Sequence, residues 1–264
     1  MSKQIKIKRL ITILVAFACI CICVGIAYEL NILREGEQTY GYSPSFVSDP
    51  NNSTEYAFDP DTILLTLDQG KTPIFTHIIA TPEVYAPLVT GSFPWTQSDY
   101  LKIAASVEQI KSKENLNDWH VLGMYFRKDC GANSKGFDSG SIIYFKFNNQ
   151  VETFGYLNYQ TDIIAIYPLS KTVVYEQSFF PRHLFGWRSI NLNSLEVTAD
   201  DALLIAEQKG GREARLKVNN KCEITLFNSP NFRGKNSWEV SYDSVFEIHI
   251  DSYSGKYTII DTNK

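Results

Sequence analysis

Catalytic signatures are what this chain most conspicuously lacks. No GxSxG, HExxH, CxxC, Walker-type or GxGxxG pattern occurs, so the local arrangements that activate a serine, hold zinc or cradle a phosphate are missing from the primary structure. The four histidines, His77, His120, His183 and His249, do not fall at metal-ligand spacings. Asp118-Trp119-His120 reads as a strand start and Asp138-Ser139-Gly140-Ser141 as a turn. No metal, no cofactor and no enzymatic activity are therefore expected. Basic runs are equally scarce beyond residue 9. The chain has 25 Lys+Arg and 29 Asp+Glu; without Lys3, Lys6, Lys8 and Arg9 the balance is 21 against 29, or −8. That sign disfavours nucleic acid and anionic lipid as partners. Low complexity is absent, and no second long apolar run follows the first.

That first run is Leu10–Ala27, eighteen residues without a charge behind a basic flank. At about 1.5 Å per residue it nearly matches a hydrocarbon core of about 30 Å, and the flank favours the cytoplasmic side. A retained single-pass anchor is the reading taken, with residues 28–264 extracytoplasmic and the chain's own bilayer as a partner through Leu10–Ala27. Cleavage after the small residues Gly25-Ile26-Ala27 competes with it, although the run exceeds the usual signal core. Lipidation of Cys19 is the third reading. Only Cys130 and Cys222 lie outside this run; they either pair in an oxidising exterior or are two unrelated buried thiols.

Residues 29–58, rich in Gly, Ser, Pro, Asn and Tyr, read as a flexible linker. Asp49, Asn51, Ser53 and Glu55 imitate the start of a calcium loop, but Thr54 and Pro60 stand where its glycine and bidentate glutamate belong. Thr62–Leu67 and Pro73–Ala80 suggest a hairpin around Asp68-Gln69-Gly70-Lys71. Thr96-Gln-Ser-Asp99 then has the form of a capped helix start, with the helix running to about Lys113. Strands are expected at Trp119–Arg127, Ser141–Phe147, Thr153–Asn158 and Asp162–Tyr167. Near the C-terminus a second capped helix begins at Thr198 and is followed by KCEITLFN, SWEVSYD and VFEIHIDSYSGKYTII, three short alternating segments.

The two helix starts match at a fixed offset of 102: Thr96, Asp99, Leu101, Ile103 and Ala104 against Thr198, Asp201, Leu203, Ile205 and Ala206. Leu157-Asn158-x-x-Thr161-Asp162 against Ile250-Asp251-x-x-Ser254-Gly255 adds a second correspondence, at an offset of 93. Two matches in one order suggest a duplicated helix and meander unit. The expected organisation is a basic flank and anchor over 1–28, the linker over 29–58, an N-terminal unit over 59–167, an aromatic-rich connection over 168–195 and a C-terminal unit over 196–264. In the connection, Phe179, Phe180, Phe185 and Trp187 either plug the seam between units or form an exposed patch for a partner.

The C-terminal unit resembles a PepSY-type domain. The resemblance rests on the capped helix Thr198-Ala-Asp-Asp-Ala-Leu-Leu-Ile-Ala206, the Trp-x-Val strand at Trp238-Glu-Val240, and the hairpin turn Asp251-Ser-Tyr-Ser254-Gly255-Lys256. The N-terminal unit is similar only by position, since Asp162 stands at the turn glycine and no Trp-x-Val strand is present. An anchor followed by two such units also resembles membrane-anchored PepSY-like proteins of the bacterial cell envelope. The resemblance implies an α+β fold of two tandem cystatin-like units, each one helix packed on an antiparallel meander. It further implies a non-catalytic binding or regulatory role, with an envelope protein or a peptidase as partner. The alternative is an ectodomain that senses a small molecule or peptide between the two units.

Overall fold

The structure is a computed structural model that describes residues 15, 17, 19–26, 53–78, 93–112, 119–132, 136–153, 156–181, 189–230, 236–243 and 245–260. The chain divides into two units. The first contributes only residues 15, 17 and 19–26, which are helical with their apolar side chains exposed. Among the described residues no helix is long and apolar enough to cross a membrane. The transmembrane anchor at Leu10–Ala27, and the single-pass placement built on it, are thereby corrected. An apolar run spans a bilayer only as one continuous helix of about 20 residues, and the rest of this run lies outside the described residues.

All the strands belong to the second unit. They are β1 (Ser53–Ala57), β2 (Thr76–Ile78), β3 (His120–Asp129), β4 (Ser139–Thr153), β5 (Tyr156–Tyr167), β6 (Thr172–Pro181), β7 (Glu223–Pro230), β8 (Asn236–Tyr242), β9 (Phe246–Asp251) and β10 (Tyr257–Ile260). The helices are α1 (Ile63–Asp68), α2 (Gln97–Ser112), α3 (Ala199–Ala206) and α4 (Arg212–Lys217), with a π-helical turn at Glu207–Gly211 between the last two. The strands form a single antiparallel sheet in the order β10-β9-β8-β7-β3-β4-β5-β6-β1-β2.

The expected pair of cystatin-like units is therefore corrected to one ten-stranded sheet. Two meanders do follow two capped helices, but β3 pairs with β7 through six residues, from Met124 opposite Asn228 to Asp129 opposite Glu223. The physical reason lies in the backbone. A free meander exposes an unpaired row of N–H and C=O groups at each edge, and joining β3 to β7 satisfies one row from each half. Other expectations change with it. Thr62–Leu67, read as a strand, forms α1, where Thr62 Oγ1 donates to Asp59 Oδ2 at 2.7 Å. The linker supplies β1 and the inter-unit connection supplies β6, which pair with each other. The two strands expected around residue 160 are one continuous β5.

One face of the sheet carries the helices and the main core. In β8 the buried residues Asn236, Trp238, Val240 and Tyr242 alternate with Ser237, Glu239 and Ser241, which are exposed or half-buried, the period expected of a strand with one face packed. Trp238 is fully enclosed, in one core with Ala202 and Ala206, and its Nε1 donates to Val197 O at 2.9 Å. Phe126 of β3 lies 6.1 Å from it, centroid to centroid, so the core runs across the junction of the two halves. Above β3 and β4, Tyr100 of α2 packs edge-on to Phe126 and Trp95. A Cβ on Gly140 would sit 2.6 Å from the Tyr100 ring, so only glycine lets α2 approach β4 this closely.

The two helix starts meet. Ala199 N donates to Gln97 Oε1 at 2.6 Å, and Gln97 N donates to Asp200 Oδ2 at 3.0 Å. Each helix N-terminus thus satisfies an orphan donor of the other. Thr198 and Asp201 form a complete capping box, and Thr96 donates to Asp99 in the same manner.

Candidate functional site

Cys130 and Cys222 are joined by a disulfide with Cα atoms 5.3 Å apart, and Cys130 N donates to Cys222 O at 3.0 Å. The bond continues the β3–β7 ladder by one step and ties the two halves of the sheet at that end. Phe179 and Phe180 fall in β6, opposite Gln160 and Tyr159, while Phe185 and Trp187 lie outside the described residues.

A polar network is buried between α2 and the β4–β6 half of the sheet. Tyr175 Oη donates to Asp162, and Gln177 Nε2 lies 3.4 Å from the same carboxylate and 3.3 Å from the Tyr175 hydroxyl. Glu108 of α2 adds a second enclosed carboxylate facing Tyr144 and Tyr175. Burial first, then the Asp162 charge, pushes the Tyr175 hydroxyl far above its ordinary value. Burial and Glu108 do the same to Tyr144. Both phenols therefore stay protonated at neutral pH, and Tyr175 donates its proton to Asp162. Glu108 of α2 and Asp162 of β5 are both fully enclosed.

Two features face solvent instead. The first is the edge strand β10. It pairs with β9 on one side, from Tyr257 opposite Ile250 to Ile260 opposite Glu247, and no described strand pairs with its other side. Tyr257 is 45% and Ile259 49% exposed, although both lie on the helix-bearing face, across from Ile250 and Ile248. The Lys209 ammonium sits 5.1 Å from the Tyr257 ring centroid and marks one end of this apolar strip.

The second lies on the opposite face, on β9 and β8, the two strands next inward. Glu239 of β8 stands directly across from His249 of β9, and Glu247 precedes His249 by two residues on the same face. His249 Nε2 is 2.8 Å from Glu247 Oε1 and 4.0 Å from Glu239 Oε2. Burial, with the Glu247 charge added, raises the Glu239 carboxyl above its ordinary value despite the opposing pull of His249. These are the described residues that could hold a metal. Spacing along the chain did not disclose them because the third partner comes from a neighbouring strand. The available signal is the alternation that turns Glu239, Glu247 and His249 outward while Trp238, Val240, Ile248 and Ile250 turn in. Compared with family models, with curated proteins and with solved structures, the chain matches none.

Proposed function

We propose that this chain is a non-catalytic binding protein, PepSY-like in its C-terminal helix and strands, that takes an extended segment of a protein partner along the open edge of β10. The observation that carries the reading is the edge itself. Among the described residues no strand pairs with its outer side, where backbone donors and acceptors run beside two half-exposed apolar side chains, Tyr257 and Ile259. An added antiparallel strand satisfies the backbone row, while its alternate side chains cover Tyr257 and Ile259. Residues between them point to the face of Glu239 and Glu247, so a segment alternating apolar with basic or polar residues fits best. An envelope protein or a peptidase, the partner classes implied by the PepSY resemblance, can each present such a segment. A ligand held between the halves requires a cleft along their junction, and the β3–β7 ladder occupies that line.

The test selects ten-residue peptides from a displayed library against the whole chain and measures their affinity by titration. Ile259→Lys places a charge in the strip without touching the core and is expected to weaken binding at least about tenfold. Amide shifts should follow residues 257–260 on peptide addition. Peptides that bind the variant equally well, with shifts confined to other strands, contradict the reading.

A further inference from the structure

We infer that Glu239, Glu247 and His249 form a binding site for a divalent transition-metal ion of the zinc class. The site lies on the face of the sheet opposite Tyr257 and Ile259. Its three side chains stand on two adjacent strands of the sheet, held in register by the pairs Trp238–Ile250, Glu239–His249 and Val240–Ile248. The backbone beneath the ligands is thus already ordered. One ligand atom from each residue lies within 4.8 Å of the others. Bond lengths of about 2.0–2.1 Å in a tetrahedral zinc centre place neighbouring ligand atoms about 3.3 Å apart. The present separations of 2.8 Å and 4.0 Å from His249 Nε2 straddle that value, so small side-chain rotations suffice to enclose an ion.

Charge supports the same assignment. Among the described residues neither carboxylate meets a lysine or arginine; the only cation-capable group at either is His249. With the imidazole neutral, as a ligand must be, the cluster carries two uncompensated negative charges on a partly shielded surface, and a divalent ion offsets both. An imidazole beside two carboxylates selects zinc, cobalt, manganese or iron over calcium and magnesium, which take oxygen ligands. Three protein ligands leave a position open for water or for a group supplied from outside.

The experiment titrates the full chain with Zn2+ alone by calorimetry and with Co2+ by visible absorption. It uses a background of Cys19→Ser, Cys21→Ser and Cys23→Ser, because those three thiols are free and exposed and would bind either ion themselves. The expected result is one equivalent of metal per chain, with Co2+ displaced by Zn2+. His249→Gln and Glu247→Gln should each weaken binding at least about tenfold, whereas His77→Gln and His120→Gln should leave it unchanged. All four positions are exposed or half-buried, and a thermal melt without metal checks that each variant folds. A rise in the wild-type melting temperature on adding Zn2+ should be absent from His249→Gln. No metal bound in the thiol-free background, or binding untouched by His249→Gln, overturns the assignment.

Discussion

Lys171 and Gly255 share one role that the amino-acid pattern conceals. Both adopt left-handed backbone, with φ of 57° and 67°, in the β5–β6 and β9–β10 turns. Ile164-x-Ile166 with Ser170-Lys171 thus corresponds to Ile248-x-Ile250 with Ser254-Gly255, at an offset of 84 rather than 93. The correspondence escapes notice in sequence because a lysine stands where the turn prefers glycine. Asp138 is another residue whose setting matters. Burial raises its carboxyl to about 6, against the opposing pull of the Asp129 N–H, 2.8 Å away, and of Lys128, while Oδ1 makes no hydrogen bond. The native state therefore holds this proton more tightly than the unfolded chain. Between about pH 4 and 6 the group makes stability fall as pH rises, and above that range its charge remains a cost. Asp138→Asn keeps an oxygen for the Asp129 N–H and removes the titration. Relative to the variant, the wild type should lose about 1–2 kcal/mol from pH 4 to pH 7, a figure reduced from the full shift because solvent reaches the group. Urea midpoints at several pH values measure this, and parallel curves for the two proteins contradict it.

Local elements were legible where their chemistry is local. The capped starts at Thr96 and Thr198, the alternation about Trp238 and the turn at Ser254-Gly255 all appear in the pattern of residue types, and each forms as that pattern suggests. Thr62–Leu67 misleads because its β-branched residues favour a strand while the Asp59–Thr62 hydrogen bond and the packing of buried Ile63 favour a helical turn. The β3–β7 pairing was illegible, since partners about a hundred residues apart leave no periodic signal. Glu239, Glu247 and His249 were hidden for a different reason, since they meet only in the β8–β9 register that sets Glu239 opposite His249. At the β3–β7 junction the disulfide closes a separation of 92 residues, for which chain entropy allows at most about 4–5 kcal/mol. Because six paired residues of β3 and β7 and the contact of Phe126 with Trp238 of β8 also hold the two halves together, reduction should loosen the protein by about 2–4 kcal/mol without unfolding it. Denaturant titrations of the native chain and of Cys130→Ser/Cys222→Ser should show that loss with far-ultraviolet dichroism retained. An unchanged midpoint shows that the bond adds no stability.

For the second unit of the chain, one sheet rather than two changes what is available for binding. Two separate meanders would offer four edges, two of them at β3 and β7. Pairing those strands leaves β10 and β2 as the ends of the sheet, and of the two only β10 carries exposed apolar side chains next to an ordered helix. This continuity removes β3 and β7 as rival edges and leaves the proposed docking strand at β10. Cross-strand nuclear Overhauser effects in the perdeuterated, amide-reprotonated protein examine it directly. The account predicts a contiguous antiparallel series linking amides of residues 124–129 to those of 223–228, in the register Met124–Asn228 through Asp129–Glu223. Strong contacts within each meander but none between these two segments would contradict it.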